Sequence, residues 1–185
     1  MECKTIYFDL DGVLADFDST YTRLTGTSYE HDPTLTEQQK DEKWALLGPH
    51  PNFFLELPWM PGAKLMVLFA FQHAPHSVGI CSAASRRIPQ SPTQKHQWCN
   101  REIPWMPASN VVIVNRKRDK CNYVGKGNVL VDDYKLNIDR WQDAGGVGIL
   151  FQNVLQTMEE LQTIIKAPES MYRRMVSLIK KEIGA

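Results

Sequence analysis

Five short apolar runs recur along the chain: TIYFDL (5–10), SVGIC (77–81), NVVIV (110–114), NVLVD (128–132) and GVGILF (146–151). None alternates strictly between apolar and polar positions. Runs of this length that stay mostly apolar suit strands covered on both faces, as in a parallel sheet. The stretches between them, 60–74 and 92–103 among them, are long enough for crossover helices. The pattern therefore predicts an α/β fold with a Rossmann-like parallel sheet.

One interval is too long for a simple crossover. Between Asp18 and Pro75 lie DSTYTRLTG, which reads as a helix, and DPTLTEQQKDEKWALLG, a second helical pattern with Asp32 and Thr34 as caps. The proline- and aromatic-rich PHPNFFLELPWMPGA follows. Aromatic side chains such as Trp44, Phe53, Phe54 and Trp59 need burial or a ligand, which speaks against an idle surface excursion. The interval predicts a small helical cap, residues 18–75, inserted over the C-terminal end of the first strand. Residues 1–17 and 76–185 then form the core domain.

The tail from Asn153 to Ala185 reads as two helices divided by Pro168, with Glu169 suited to a first turn. Met171, Met175, Leu178, Ile179 and Ile183 make an apolar stripe at helical spacing. Packing on the core is the first reading of that stripe, and a homodimer contact is the alternative. No internal repeat or low-complexity segment interrupts the pattern.

Composition narrows the classes. The 185 residues carry 21 Lys+Arg and 21 Asp+Glu, a formal charge of zero, which argues against bulk binding of nucleic acid or of an anionic membrane. No apolar run approaches the roughly 20 residues of a membrane helix, so no membrane partner is expected. The beginning, MECKTIYF, lacks the apolar stretch of a signal peptide. Four cysteines, at 3, 81, 99 and 121, form no CxxC pair, and no structural zinc site is expected. HAPH (73–76) reads as a surface turn. Together these point to a reduced, cytoplasmic protein.

Chemistry concentrates at two acidic strand ends. Chemistry in parallel α/β sheets collects beyond the strands' C-terminal ends. Asp9 and Asp11 close the first run, spaced so that an extended chain sends both side chains the same way, and Gly12 lets the chain turn off. Asp132 and Asp133 close the run VLVDD. Two anions that converge repel unless a cation lies between them or one holds a proton. A hard divalent ion with oxygen ligands, Mg²⁺ above all, answers the repulsion.

With these residues in hand the sequence resembles the haloacid dehalogenase (HAD) superfamily of phosphohydrolases. DLDGV matches the first motif of that superfamily, Ser82 in VGICSAAS the second, Lys120 in RDK the third, and the acidic pair twelve positions later the fourth, in order. A narrower resemblance is to the 5'(3')-deoxyribonucleotidases, at DLDGVLADF (9–17), NFFLELPWMPGA (52–63), ICSAAS (80–85), QKHQW (94–98), RDK and VLVDD, over roughly residues 5–140. Ser82 stands where Thr is more usual, and AASRR differs from the subgroup's common form. The helices from about 153 lie outside the match.

The resemblance implies a Mg²⁺-dependent phosphatase acting on nucleoside monophosphates, deoxyribonucleotides first. Asp9 would be the nucleophile that forms an aspartyl-phosphate, and Asp11 the acid and then the base. Ser82, the backbone at Ala83 and Lys120 would hold the phosphoryl group. Asp9, Asp11, Asp132 and Asp133 would hold the metal, Asp11 through its carbonyl. Phe17 could stack on a base, with Trp44, Phe53 and Phe54 completing an apolar slot, and Arg86 could meet the substrate. Two alternatives stay open: a phosphatase for another small phosphate or a nucleic-acid terminal phosphate, and a non-catalytic binding domain of the same fold.

Overall fold

The computed structural model describes residues 5–29, 34–73, 78–125 and 127–185. All five apolar runs form strands: β1 (Ile6–Phe8), β2 (Val78–Ala83), β3 (Val111–Val114), β4 (Val129–Asp132) and β5 (Val147–Leu150). They pair in parallel in the order β3-β2-β1-β4-β5. β1 is shorter than TIYFDL suggests. Past Phe8 the chain curls away, and the Leu10 carbonyl accepts from the N–H groups of Val13, Leu14 and Ala15.

Seven helices complete the described chain: α1 (Phe17–Thr25), α2 (Glu37–Ala45), α3 (Ala63–His73), α4 (Ser91–Glu102), α5 (Lys135–Asp143), α6 (Val154–Ile165) and α7 (Glu169–Ile183). Alternate residues of the strands serve two cores, as continuous apolar runs require. Ile6, Phe8, Ile80, Val129 and Val131 face a large core that holds Met66, Trp98 and Met158 of α3, α4 and α6. Tyr7, Cys81 and Leu130 face a smaller one with Ile138 and Trp141 of α5. No helix among the described residues is long and apolar enough to cross a membrane.

The expected caps of α2 do not hold. Asp32 lies outside the described residues, Thr34 sits in a turn, and Thr36 caps the helix. Thr36 accepts from the Gln39 N–H while the Gln39 side chain accepts from the Thr36 N–H, a reciprocal box that the spacing T-x-x-Q permits. Within the interval 18–75 the helices take different places. α1 and α2 give Phe17 and Trp44 to a cleft over the strand ends, whereas α3 packs on α6 and α7 beside the sheet. α4 holds the aromatic segment between them. Gln94 bonds the Phe54 N–H and the Pro51 carbonyl, and Trp98 donates to the Leu57 carbonyl.

Pro168 divides α6 from α7. Ile179 is fully buried and Met175 packs on the core, while Met171, Leu178 and Ile183 of the same stripe are exposed. His73, the first residue of HAPH, bonds the Phe69 carbonyl through Nδ1, and the rest of that turn lies outside the described residues.

Candidate active site

β1 lies between β2 and β4, so the crossovers leave it in opposite directions, and a crevice opens beyond its end. Phe8 pairs with Ile80 on one side and Val131 on the other, so Asp9 stands next to Cys81 and Asp132 at the following step. The Asp9 N–H donates to the Val131 carbonyl at 2.9 Å and fixes that step. Oxygen atoms of Asp9, Asp132 and Asp133 lie within 4.8 Å of one another. The two acidic strand ends do converge.

The carboxylate of Asp11 does not join that group. It turns to Lys95, whose ammonium lies 2.7 Å from Oδ2, which leaves only the Asp11 carbonyl for the expected contact with the metal. Its other oxygen, Oδ1, is buried and has no hydrogen-bond partner among the described residues.

Two buried lysines hold three of the four acids. Lys120, in the 3₁₀ turn Lys117–Tyr123, reaches Asp9 Oδ2 at 2.7 Å and Asp132 Oδ2 at 2.6 Å. Asp132 is fully buried and also accepts from the Tyr134 N–H and the Asn137 amide. Lys95 reaches Asp11, the Ser82 hydroxyl at 2.9 Å and the Ala83 carbonyl at 2.7 Å. Sequence reasoning passed over Lys95 as a site residue. A signal was there: it lies three and four positions before Trp98 and Cys99, on the buried face of α4, where a lysine needs an anion.

The lysines split the two aspartates of DLDG. Burial pushes the Asp9 carboxyl up, but Lys120 and Lys95 outweigh it and hold Asp9 below the usual carboxylate range. For Asp11 burial wins over Lys95, and the Asp9 charge adds to it, so its carboxyl is raised. Asp132 is raised by burial and then by Asp9. Asp133 opens to solvent at the cleft mouth. Desolvation by the cleft wall, then Asp9 and Asp132, push its carboxyl up to about 7. Lys120 is shifted upward, since Asp9 and Asp132 overcome its burial.

Gly12 is needed for this crowding. Its φ is +76°, and a Cβ there would stand 2.4 Å from Asp133 Oδ2. Ser82 is buried and accepts from Lys95. The expected free N–H groups after β2 are partly taken: Ala84 donates to the Val114 carbonyl and Ser85 to the Ser91 hydroxyl.

A cleft of about 190 Å³ joins these groups to an aromatic wall. Phe17 and Trp44 line it, as expected, and Tyr29, which the sequence reading did not single out, stands between them. The Trp44 and Tyr29 rings meet edge to face, 5.6 Å between centroids. Phe53 and Phe54 are buried behind Phe17 and do not line the cleft. Arg86 is exposed and faces a neighbouring cleft, so it is not brought to Asp9. Its neighbour Arg87 instead pairs with Glu37 and Asp41 of α2, at 2.7 and 2.5 Å, and ties that helix to the loop after β2. Cys81 and Cys99 are buried, and their thiols are pushed up to about 12, so neither is a nucleophile.

Asp9, Asp132 and Asp133 fit a divalent cation. They offer hard oxygen donors, Asp133 opens to solvent, and the Asp133 and Asp132 carboxyls are raised by burial and then by the Asp9 charge, a cost that a divalent cation would relieve. The family model described as 5' nucleotidase, deoxy (pyrimidine), cytosolic type C protein (NT5C) matches residues 3–163. A hydrolase from Streptococcus pneumoniae TIGR4 resembles the chain with a TM-score of 0.50 at 15% identity, over 88% of this chain and 100% of that one, a likeness of fold. A comparison with curated proteins gives no match. The chain thus belongs to the NT5C family of 5' nucleotidases and is a phosphoric monoester hydrolase of the haloacid dehalogenase type.

Proposed function

We propose that the protein hydrolyses nucleoside monophosphates, deoxyribonucleotides first, with Mg²⁺ and through an aspartyl-phosphate on Asp9. One observation carries the reading. Two aspartates of one cleft are held in opposite protonation tendencies, Asp9 low and Asp11 high, beside an aromatic wall. A pair of carboxyls pushed apart in this way suits a nucleophile and an acid.

Asp9, kept anionic by Lys120, attacks the phosphorus, and the bond to the ester oxygen breaks. Asp11 gives its proton to that oxygen, and the nucleoside leaves as an alcohol. Asp11, now a base, takes a proton from water as the water attacks the same phosphorus. The acyl-phosphate bond breaks, inorganic phosphate departs and Asp9 is restored. Asp9, Asp132 and Asp133 would hold Mg²⁺, which neutralises phosphate charge against the incoming carboxylate. Lys120 holds Asp9 and Asp132 in register, and Lys95 fixes Ser82 and Asp11 toward the cleft. The nucleobase stacks on Phe17, Tyr29 and Trp44, which supports a nucleotide over a sugar phosphate.

The test is phosphate release from deoxy- and ribonucleotides, sugar phosphates and 5'-phosphorylated oligonucleotides, with Mg²⁺ and with EDTA. Nucleotides are expected to turn over fastest, only with the metal, and Asp9→Asn to lose activity. Equal turnover of sugar phosphates and nucleotides would remove the base-stacking wall from the account.

A further inference from the structure

Beside the catalytic cleft lies a larger one of about 810 Å³, within the ordinary range of ligand pockets, roughly 300–1,000 Å³. The two share Tyr29, Trp44, Ala84, Ser85, Lys117 and Tyr134, so one opens into the other. Among the described residues its charged lining is wholly basic. Lys43, Arg86, Arg116, Lys117 and Arg140 face it. Lys40, Arg87 and Arg118 line it too, but they are paired with Glu37, Asp41 and Asp119. Arg86, Arg116 and Arg140 are exposed and have no ion-pair partner among the described residues.

A chain with 21 bases and 21 acids has gathered eight of its cations around one hollow, and Arg86, Arg116 and Arg140 among them have no ion-pair partner among the described residues. Like charges in a concave surface repel and focus a positive potential outward. Such a hollow suits an anion. Its position names which one. The phosphate to be cleaved belongs at Asp9, the leaving group belongs against Tyr29 and Trp44, and the basic cleft begins on the far side of those rings. Leu35 and Leu136 add apolar surface on its walls.

We propose that the basic cleft is a second phosphate subsite, which takes a nucleotide whose leaving group carries a further phosphate. The inference rests on the nucleotidase reading above. Two substrates offer that chemistry: a nucleoside 3',5'-bisphosphate and a short 5'-phosphorylated single strand, whose phosphodiesters continue into the cleft.

Kinetics on the full chain with Mg²⁺ test it, with a deoxynucleoside 5'-monophosphate, its 3',5'-bisphosphate and a 5'-phosphorylated trinucleotide as substrates. Charge-assisted contacts to a second phosphate are expected to lower KM about tenfold or more below that of the monophosphate. The gap closes in Arg116→Glu/Arg140→Glu and with added salt. The monophosphate KM stays where it was, since both arginines are exposed and neither touches the aspartates. A gain for the bisphosphate alone assigns the subsite to a small molecule, and a further gain for the trinucleotide assigns it to a strand end. Equal KM for all three, or a gap that survives the double variant, overturns the proposal. Calorimetric binding of the same three ligands to Asp9→Asn repeats the comparison without turnover. If no ligand is hydrolysed by the native chain, the nucleotidase reading fails, and the binding series still decides the subsite.

Discussion

The ammonium of Lys95 lies 2.7 Å from the Asp11 carboxylate. Asp9, two residues earlier, has its own lysine, Lys120, at the same 2.7 Å. Two acids of one short motif are thus served by cations from different elements, α4 and the 3₁₀ turn before β4. The environments differ enough to leave Asp9 anionic and Asp11 raised.

Removal of the first pair has a directed effect. Lys95→Met takes away the charge that most opposes the burial of Asp11, so the Asp11 carboxyl rises further. It also strips Ser82 and the Ala83 carbonyl of a donor. The expected loss in kcat is about 10²-fold, with the limb of the pH–rate profile that reports the acid moved to higher pH. Lys95→Arg does not restore the rate, because three acceptors around one point donor do not suit a planar fork.

Gly12→Ala tests the acidic corner from the side. A methyl group 2.4 Å from Asp133 Oδ2 forces Asp133 away, and the φ of +76° adds strain. Mg²⁺ affinity is expected to fall about 10–100-fold, read from the Mg²⁺ dependence of phosphate release, with nucleotide KM at saturating metal little changed.

Asp133 predicts a pH dependence for metal binding. Its carboxyl is raised to about 7 without a cation. A raised carboxyl favours the folded state below its unfolded pKa, and that contribution is lost as pH rises through about 7. Bound Mg²⁺ reverses the penalty. The rise in Tm on adding Mg²⁺ is therefore larger at pH 8 than at pH 6, and differential scanning calorimetry at the two values reads it. Exposure of Asp133 screens the effect, so the direction is the prediction.

Trp44→Ala removes a stacking surface and leaves the carboxylates untouched. KM for nucleotides is expected to rise by the equivalent of about 1–3 kcal/mol, while a sugar phosphate shows no change. Arg87→Ala should act on the same quantity more weakly. Its pairs with Glu37 and Asp41 lie at the surface and are screened by solvent, so Tm barely moves, but α2 loses its tie to the loop after β2. Thermal melts and KM values for both variants check this.

The strands were legible because buried parallel strands leave continuous apolar runs, and Ile6–Phe8, Val78–Ala83 and Val129–Asp132 all do so. Asp9, Asp132 and Asp133 were legible as ends of those runs. Lys95 was not, since its partners are chosen by the packing of α4 beside β3, which brings the side chain to the end of β2, a relationship across the fold that local spacing does not carry. The partner of the Asp11 carboxylate was hidden for a related reason: the chain leaves the strand after Phe8, and the side chain meets Lys95 of α4. The cap of α2 moved to Thr36 because a reciprocal bond with Gln39 outcompetes a lone side chain. Tyr29 joined the cleft only through its contacts with Phe17 and Trp44.

The most direct test of the chemistry is to trap the protein during turnover. The native chain is mixed with Mg²⁺ and a deoxynucleoside monophosphate that carries radiolabelled phosphate, and the reaction is quenched in acid within milliseconds. The account predicts label on the peptide that contains Asp9, released by base, and none after EDTA or in Asp9→Asn. Full phosphate release by Asp9→Asn, with no labelled peptide from the native chain, would contradict it.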